Sequence, residues 1–281
     1  LCTMLTTLTV LDYSKGKKKY NFFKRDKTHL EVVEYNNIQL VNITYYKYRD
    51  RIKWHKIKEL AGNEGKCILC SKDIVFPPES GLKRYTTNLL KERITENTAL
   101  EVIKRCKAPT ENIRIGLYDP QGEKSGIIRE LLKYTGQVTV VTDATNDYYK
   151  IYKDIMRDTG AVIILKNNVK AFKDCHIIIA PKRISVTLPV SDKAVVFTSE
   201  KPAVCQSGIV YSSYIVALNE SYKEIKPHSL SDEYFAQALY DKGRQHRLGS
   251  LLPILCVSDI GNDTIEGISN FVGQYAKLCA E

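Results

Sequence analysis

Apolar and polar positions follow two different patterns along the chain, and the change of pattern divides it into two parts. Up to about residue 85, short apolar runs are separated by turn residues, which predicts mainly strands. From residue 113 onward, continuous apolar runs alternate with segments of helical period. This alternation is typical of a parallel sheet whose strands are buried on both faces. The pattern therefore predicts an α/β fold with a strand-rich α+β domain in front.

The first part predicts five strands, one short helix and a hairpin turn at Asn36-Asn37, where asparagine tolerates positive φ. The strands are expected at Leu5–Tyr13, Tyr20–Phe23, Leu30–Tyr35, Ile38–Tyr46 and Ile74–Phe76, and the helix at Ile52–Ala61. Two helical stretches follow, at Asn88–Ile94 and Asn97–Cys106, before a joint at Pro109–Asn112. We therefore place the domains at residues 1–110 and 111–281.

The second part predicts a parallel sheet. Its strands are expected at Ile113–Tyr118, Val138–Val141, Ala161–Leu165, Ile177–Ala180 and Ala194–Thr198. Its helices are expected at Ile127–Thr135, Asp147–Asp158, Val169–Lys173, Ser231–Asp241 and Thr264–Leu278. Because crossovers between parallel strands are almost always right-handed, the predicted strand order is 3-2-1-4-5.

The strongest candidate site lies in the β-α-β segment that ends at Asp143, 21 positions after Gly122. A turn at a helix N-terminus can hold a phosphate, and a carboxylate at the end of the next strand can accept both hydroxyls of a ribose. The turn is Asp119-Pro120-Gln121-Gly122-Glu123-Lys124-Ser125-Gly126. A helix-cap or turn role explains Asp143 equally well, so both interpretations stay open.

On this layout, residues 97 to 200 resemble the Rossmann-type NAD(P)-binding domains of the amino-acid-dehydrogenase-like group, which includes shikimate dehydrogenase and glutamyl-tRNA reductase. The resemblance implies a Rossmann-like sheet and NAD as the cofactor to consider. Its G-x-G-x-x-G turn is degraded here, because only Gly122 and Gly126 remain and Pro120 has no N–H. Asp119 and Glu123 would repel a phosphate, whereas Lys124 and Ser125 partly compensate.

The predicted cofactor-binding residues lie at the carboxyl ends of the first, second and fourth strands, where open α/β sheets bind ligands. They are Asp119, Gly122, Lys124, Ser125, Gly126, Asp143, Pro181 and Lys182, with Arg183 beside them. No catalytic residue is identified. Capping explains His228 and Asp232, an exposed loop explains Arg244, His246 and Arg247, and Cys205 has no adjacent base.

Charge and cysteine content narrow the picture. The net charge is +10, with lysines and arginines concentrated in the first third among tyrosines and phenylalanines. Nucleic-acid binders combine charge and aromatic residues in this way, but lysines also protect strand edges, and we expect no nucleic-acid partner. The eight scattered cysteines indicate buried thiols in a reducing cytoplasm, and Cys67-x-x-Cys70 has no second half to complete a metal site.

The sequence therefore predicts a two-domain cytosolic protein with a degenerate nucleotide-binding turn and a binding or regulatory role. The alternative is an NAD(P)-dependent oxidoreductase, and a weaker one is a nucleic-acid-binding protein. A nucleotide is the expected small-molecule partner, no membrane association is expected because no apolar run approaches about 20 residues, and a homo-oligomer stays open.

Overall fold

The computed structural model describes residues 3–13, 25–35, 38–48, 51–62, 65–218, 220–242 and 251–279. The strands are β1 (Thr3–Asp12), β2 (Lys27–Tyr35), β3 (Ile38–Lys47), β4 (Cys67–Cys70), β5 (Lys83–Arg84), β6 (Ile115–Tyr118), β7 (Gln137–Val141), β8 (Val162–Lys166), β9 (Ile177–Ala180), β10 (Val195–Thr198), β11 (Ile209–Ile215), β12 (Leu255–Ser258) and β13 (Asn262–Asp263). The helices are α1 (Trp54–Ala61), α2 (Leu89–Arg105), α3 (Ile128–Leu131), α4 (Thr145–Thr159), α5 (Glu220–Ile225), α6 (Asp232–Lys242) and α7 (Ile265–Leu278).

The chain forms two compact units, which differ from the segments predicted on either side of residue 110. The first unit contains residues 1–87 and 218–245, and the second contains 88–217 and 246–281. Helix α2 belongs to the second unit because it packs on β9, β10 and β11. Helix α6 returns to the first unit, where its buried Phe235, Ala238 and Leu239 share a core with Leu5 and Leu40.

A mixed five-stranded sheet organises the first unit, in the order β2-β3-β1-β4-β5. β2 and β3 form the predicted antiparallel pair, whereas β1 runs parallel to both β3 and β4. Alternate side chains enter two cores: Leu8, Ile43 and Ile68 pack with Ile57 of α1, and the opposite face packs with α6. The sheet is therefore covered by helices on both faces.

Several predictions for the first unit can be compared with the described residues. The strands near residues 5, 30 and 38 and the helix near 52 are confirmed within a few positions. The strand expected at Ile74–Phe76 is wrong: this segment follows a turn in which Ile74 N–H bonds Ser71 O, and it leads into Pro77. The strand at 20–23, the turn at 36–37, and the loop with Arg244, His246 and Arg247 lie outside the described residues.

The second unit contains an eight-stranded sheet in the order β8-β7-β6-β9-β10-β11-β12-β13. The strands from β8 to β11 are all parallel, whereas β12 and β13 pair antiparallel. Numbered along the chain from β6, the parallel part reads 3-2-1-4-5-6. The predicted order 3-2-1-4-5 and the Rossmann-like fold class are confirmed, with β11 as an additional sixth strand.

Burial explains which strands the sequence pattern reveals. β9 and β10 are buried at every position, so their continuous apolar runs stand out. β11 is only partly buried and carries serines and tyrosines, and β12 lies near the sheet's antiparallel end. These two strands and β13 have no parallel-sheet signature, and the prediction missed all three.

The helix expected at Ile127–Thr135 is wrong in extent. A 3-10 turn over Ser125–Ile127 leads into α3, which ends at Leu131. The chain turns back after α3 because the Thr135 hydroxyl donates a hydrogen bond to Ile113 O. β7 begins two residues after Thr135. A four-residue helix aligns few peptide dipoles, so it offers little of the anion attraction that a long helix provides at its N-terminus.

Candidate functional site

A cleft opens at the carboxyl end of β6, where the strand order reverses. The chain leaves β6 toward β7 on one side, whereas β9 pairs with β6 on the other. Connections leaving neighbouring strands in opposite directions leave a crevice between them, which is where open α/β sheets bind ligands. Two cavities occupy this position, and Tyr118, Pro120 and Asp143 line both.

The larger of the two, the β9-side cavity, has a volume of about 330 Å³. It is lined by Tyr118, Asp119, Pro120, Gln121, Lys124, Asp143, Pro181, Lys182, Arg183 and Ser185. The β7-side cavity has a volume of about 240 Å³ and is lined by Tyr118, Pro120, Val141, Thr142, Asp143, Asn167, Asn168, Val169 and Val186. Since small-molecule sites usually enclose about 300–1,000 Å³, either cavity suits part of a nucleotide.

The buried side chain of Asp119 connects the turn to α4. It is only 2% exposed, and its Oδ2 accepts hydrogen bonds from Lys124 N–H at 2.8 Å and from the Tyr148 hydroxyl at 2.6 Å. Burial and the neighbouring Asp119 carboxylate both raise the pKa of Tyr148, so this phenol keeps its proton and donates it to the bond. Asp119 therefore holds the turn together from its buried side.

Gly122 faces the protein interior. It has a φ of +75°, and a Cβ added there would lie 2.6 Å from Cβ of Ala144 and 3.0 Å from Oδ2 of Asp147. Its N–H donates to Asp119 O. Because Gly122 has no side chain, the turn lies close to the start of α4 and packs on it.

Lys124 is held by two glutamates of α2. Its ammonium lies 2.6 Å from Glu92 and 3.1 Å from Glu96, and all three side chains are largely buried. Burial opposes the charged ammonium, but the two carboxylates outweigh it, so the pKa of Lys124 lies above its ordinary value. The charge that was expected to attract a phosphate is already neutralised.

Replacing Lys124 by methionine is expected to lower the free energy of unfolding by about 2 kcal/mol at pH 7–9, because the poorly hydrated Glu92 carboxylate loses its partner and Glu96 keeps only Arg93. Since the folded-state pKa is raised, this contribution is complete below the unfolded-state value of about 10.4 and disappears as the pH rises through the folded-state value. Urea unfolding of both proteins across pH 7–11.5 measures the difference.

The matched control for that prediction is Lys133→Met. The Lys133 ammonium pairs with Glu130 at the surface, where 57% and 40% of the two side chains are exposed. This replacement should cost less than about 0.5 kcal/mol. Equal losses for Lys124→Met and Lys133→Met, or a Lys124 effect that does not change up to pH 11.5, would contradict the interpretation.

Lys182, the second lysine on this side of the cleft, bridges the turn. Its ammonium contacts Gln121 and lies 2.7 Å from the Glu123 carboxylate. The hydrogen bond and charge of Lys182 lower the pKa of Glu123, which therefore stays ionised. Ser125 and Gly126 lie at the start of the 3-10 turn and line neither cavity, and Pro181 is part of the β9-side wall.

Asp143 has the position expected of a ribose ligand. Its backbone N–H donates to Pro120 O, which fixes the residue beside the turn. Its carboxylate is exposed, lines both cavities, and makes no hydrogen bond or ion pair among the residues that the structure describes. α4 begins two residues later with no side-chain cap, which argues against the helix-cap alternative.

Tyr118 is a site residue that the sequence reasoning missed. It stands on the wall between the two cavities, and its ring packs edge-on against Phe172. Burial raises its pKa, Asp143 adds to the effect, and a hydrogen bond with Ser185 opposes it. The phenol is therefore a hydrogen-bond donor at neutral pH. The sequence could have pointed to Tyr118, because it is the last residue of the first strand of the parallel sheet.

The weaker candidates do not join this site. His228, Asp232 and Cys205 line neither cavity. The Ser231 hydroxyl accepts a hydrogen bond from the Tyr234 amide in the first turn of α6. The cysteines among the described residues are free thiols, with Cys67 exposed and Cys70 buried as a strand requires. Within the described residues, no group of three potential metal ligands occurs.

The residues of the cleft fit one part of NAD and not another. Asp143, beside the 240 Å³ cavity, fits a ribose with two free hydroxyls. The turn does not fit a diphosphate, because Asp119 engages its inner amides and Lys124 is paired with Glu92 and Glu96. No catalytic step is assigned to a bound dinucleotide on this geometry.

No protein-family model matches the chain. Two curated proteins, epidermal growth factor receptor kinase substrate 8 from Homo sapiens and from Pongo abelii, are 33% identical over 83 residues, or 28% of this chain. The match spans only 9% of the length of those relatives.

Two solved structures share a general likeness with this chain. One is Δ1-pyrroline-2-carboxylate reductase from Thermococcus litoralis in complex with NADH and L-proline, at 11% identity, 72% coverage of this chain, 70% of that chain and a TM-score of 0.30. The other is L-tryptophan dehydrogenase from Nostoc punctiforme, at 10% identity, 84% and 70% coverage and a TM-score of 0.32. The strand order of the parallel sheet, and not these two likenesses, identifies the fold as Rossmann-like.

No helix in the described part of the chain is both long and apolar enough to cross a membrane.

Proposed function

We propose that the second unit binds a ribonucleoside-containing ligand in the cleft at the carboxyl ends of β6, β7 and β9, and that it acts as a binding or regulatory module. The observation that carries this proposal is Asp143, an exposed carboxylate beside a cavity at the end of the second strand. In a Rossmann-like sheet this position suits the two hydroxyls of a ribose. The base would occupy the β7-side cavity, between Tyr118 and the loop that follows β8.

The side chains of the cleft favour a binding role over a catalytic one. Two of its three cationic side chains, Lys124 and Lys182, are paired with glutamates. Burial raises the pKa of Tyr118, so at neutral pH it is a protonated donor and not a phenolate that could act as a base. A site of this kind can recognise a polar ligand through hydrogen bonds, but the described residues of the cleft offer no acid and base poised on one reacting atom.

The test is calorimetric titration with adenosine, guanosine, cytidine and uridine. At least one ribonucleoside should bind, and Asp143→Ala should weaken it about ten-fold or more through the loss of hydrogen bonds to a charged acceptor. The 2′-deoxy form of the same nucleoside should bind the wild-type protein more weakly, and the variant should barely distinguish the two forms. Failure of all four nucleosides and of NAD to bind would contradict the proposal.

Asp174→Ala supplies the matched control. Asp174 precedes β9, at the amino end of the parallel strands, and its side chain is 71% exposed. The same replacement there should leave nucleoside affinity unchanged within two-fold. An equal loss in Asp174→Ala and Asp143→Ala would mean that Asp143 does not act as a ligand.

An NAD(P)-dependent oxidoreductase is the second candidate. The observation that favours it is the continuation of the cleft past Tyr118, which gives a dinucleotide one cavity for each half. Titration with NADH, followed by its fluorescence, separates the two functions. Binding of NADH much tighter than that of any nucleoside would favour the oxidoreductase, because the second half of the dinucleotide would then contribute to affinity.

A further inference from the structure

Charged side chains cluster around the turn on the phosphate side of the cleft. Six carboxylates lie there, and four cationic side chains balance them only in part. The carboxylates are Glu92, Glu96, Asp119, Glu123, Asp143 and Asp147, and the cations are Arg93, Lys124, Lys182 and Arg183. The excess of two negative charges disfavours a ligand that brings further negative charge to this place.

The hydrogen bonds of the turn lead to the same conclusion. The amide of Asp119 donates to Val141 O, those of Gly122 and Lys124 donate to Asp119, and Pro120 has none. A diphosphate site needs amides that converge on the ligand. Between Asp119 and Lys124, the amides of Gln121 and Glu123 are left over. The bonded amide of Gly122 separates them, and the ionised side chain of Glu123 repels an anion.

The packing around Gly122 also opposes a diphosphate. The glycine of such a turn lets the ligand approach the backbone closely. Here the space around Gly122 is already filled by Ala144 and Asp147 of the same unit, and Gly122 itself is buried. Three independent features of the turn therefore oppose a diphosphate: its charge, its amides and its packing.

From these features we infer that the cleft selects a ribonucleoside ligand that carries no diphosphate, an inference that depends on the nucleoside-binding function proposed above. Asp143 holds the ribose, and the turn excludes the chemical group that most Rossmann-like sites are built to hold. Of the cationic side chains that line the β9-side cavity, the exposed guanidinium of Arg183 has no ion-pair partner among the described residues. It can balance a single negative charge on the ligand.

The experiment compares each ribonucleoside with its 5′-monophosphate, its 5′-diphosphate and NAD, by calorimetry at one low salt concentration. The nucleoside or monophosphate should bind at least about ten-fold tighter than the diphosphate and NAD, because each pair of like charges about 5 Å apart costs roughly four-fold in affinity even in water. Added salt should narrow the gap by screening the repulsion.

The possible outcomes separate the two proposals. A diphosphate or NAD that binds tighter than its nucleoside overturns the inference and leaves the nucleoside-binding function intact. Binding of none of these compounds overturns the proposed function itself. A difference between nucleoside and diphosphate affinity that does not change with salt also overturns the inference, because salt would screen an electrostatic repulsion.

Glu123→Gln tests the charge directly. Removing this carboxylate also releases the Lys182 ammonium from its ion pair. Affinity for the diphosphate should rise about four-fold or more, whereas nucleoside affinity should change less than two-fold. Glu130→Gln removes the same charge from a residue of α3 that pairs with Lys133 and lines neither cavity, and it should change neither affinity. Equal diphosphate affinities for Glu123→Gln and Glu130→Gln would contradict the inference.

Discussion

Replacing Asp119 by alanine is expected to lower the free energy of unfolding by about 3–5 kcal/mol. The carboxylate is 2% exposed, and it accepts hydrogen bonds from the amide of Lys124 and the hydroxyl of Tyr148, a residue with no exposed surface. A hydrogen bond to a charged group contributes about 1.5–3 kcal/mol, and a buried donor left without its partner loses the compensation for its desolvation. Urea unfolding at pH 7, followed by circular dichroism, measures the loss.

Two variants calibrate that result. Tyr148→Phe removes one of the two hydrogen bonds and should cost about 1.5–3 kcal/mol. Asp143→Ala removes the same type of side chain from an exposed position, where the carboxylate has no described partner, and should change stability by less than about 0.5 kcal/mol. An Asp119→Ala protein as stable as Asp143→Ala would show that Asp119 does not hold the turn together.

The second large effect is expected for Gly122→Ala, at about 2–4 kcal/mol. The φ of +75° costs a non-glycine residue about 1–2 kcal/mol. A new Cβ would also stand 2.6 Å from Cβ of Ala144, and overpacking of this kind adds about 1–3 kcal/mol. The loss should appear as a lower urea midpoint at unchanged slope.

Gly160→Ala separates strain from packing. Gly160 has a φ of +69° at the end of α4, but nothing lies within 4 Å of the position of its missing Cβ. The same substitution there should cost only the conformational term, about 1–2 kcal/mol. The difference between the two variants is therefore the contact with Ala144 and Asp147. If both glycines cost the same, the turn can move away from α4, and the packing argument against a diphosphate is lost.

The two predictions bear on the same feature of the molecule. In the dinucleotide-binding turns that this chain resembles, small residues keep the backbone open to a ligand. Here an acid, a tyrosine and a lysine–glutamate cluster hold the turn against α2 and α4. Residues that look like a weakened phosphate site in the sequence therefore make their contacts within the fold, whereas the Asp143 carboxylate at the end of β7 is exposed.

The sequence by itself determined the strand order of the parallel sheet and the place of Asp143. Strands buried on both faces carry apolar residues on both, so β9 and β10 appear in the sequence as nearly continuous apolar runs. Right-handed crossovers then leave one order for the first five strands, and that order places Asp143, two residues after β7, at the edge where open α/β sheets bind ligands. Local pattern and a general rule of chirality were sufficient for this much.

Tertiary structure alone decided the rest. Lys124 looks free in the sequence because its partner Glu92 lies 32 positions away, and Asp119 meets Tyr148 across 29 positions. α6 looks like part of the second domain, but its apolar face packs beside Leu5 in the first unit. Hydrophobic periodicity shows which face of an element is buried, but not against what, and a charged side chain does not reveal its partner. Both depend on contacts between distant segments, which form only when the chain has folded.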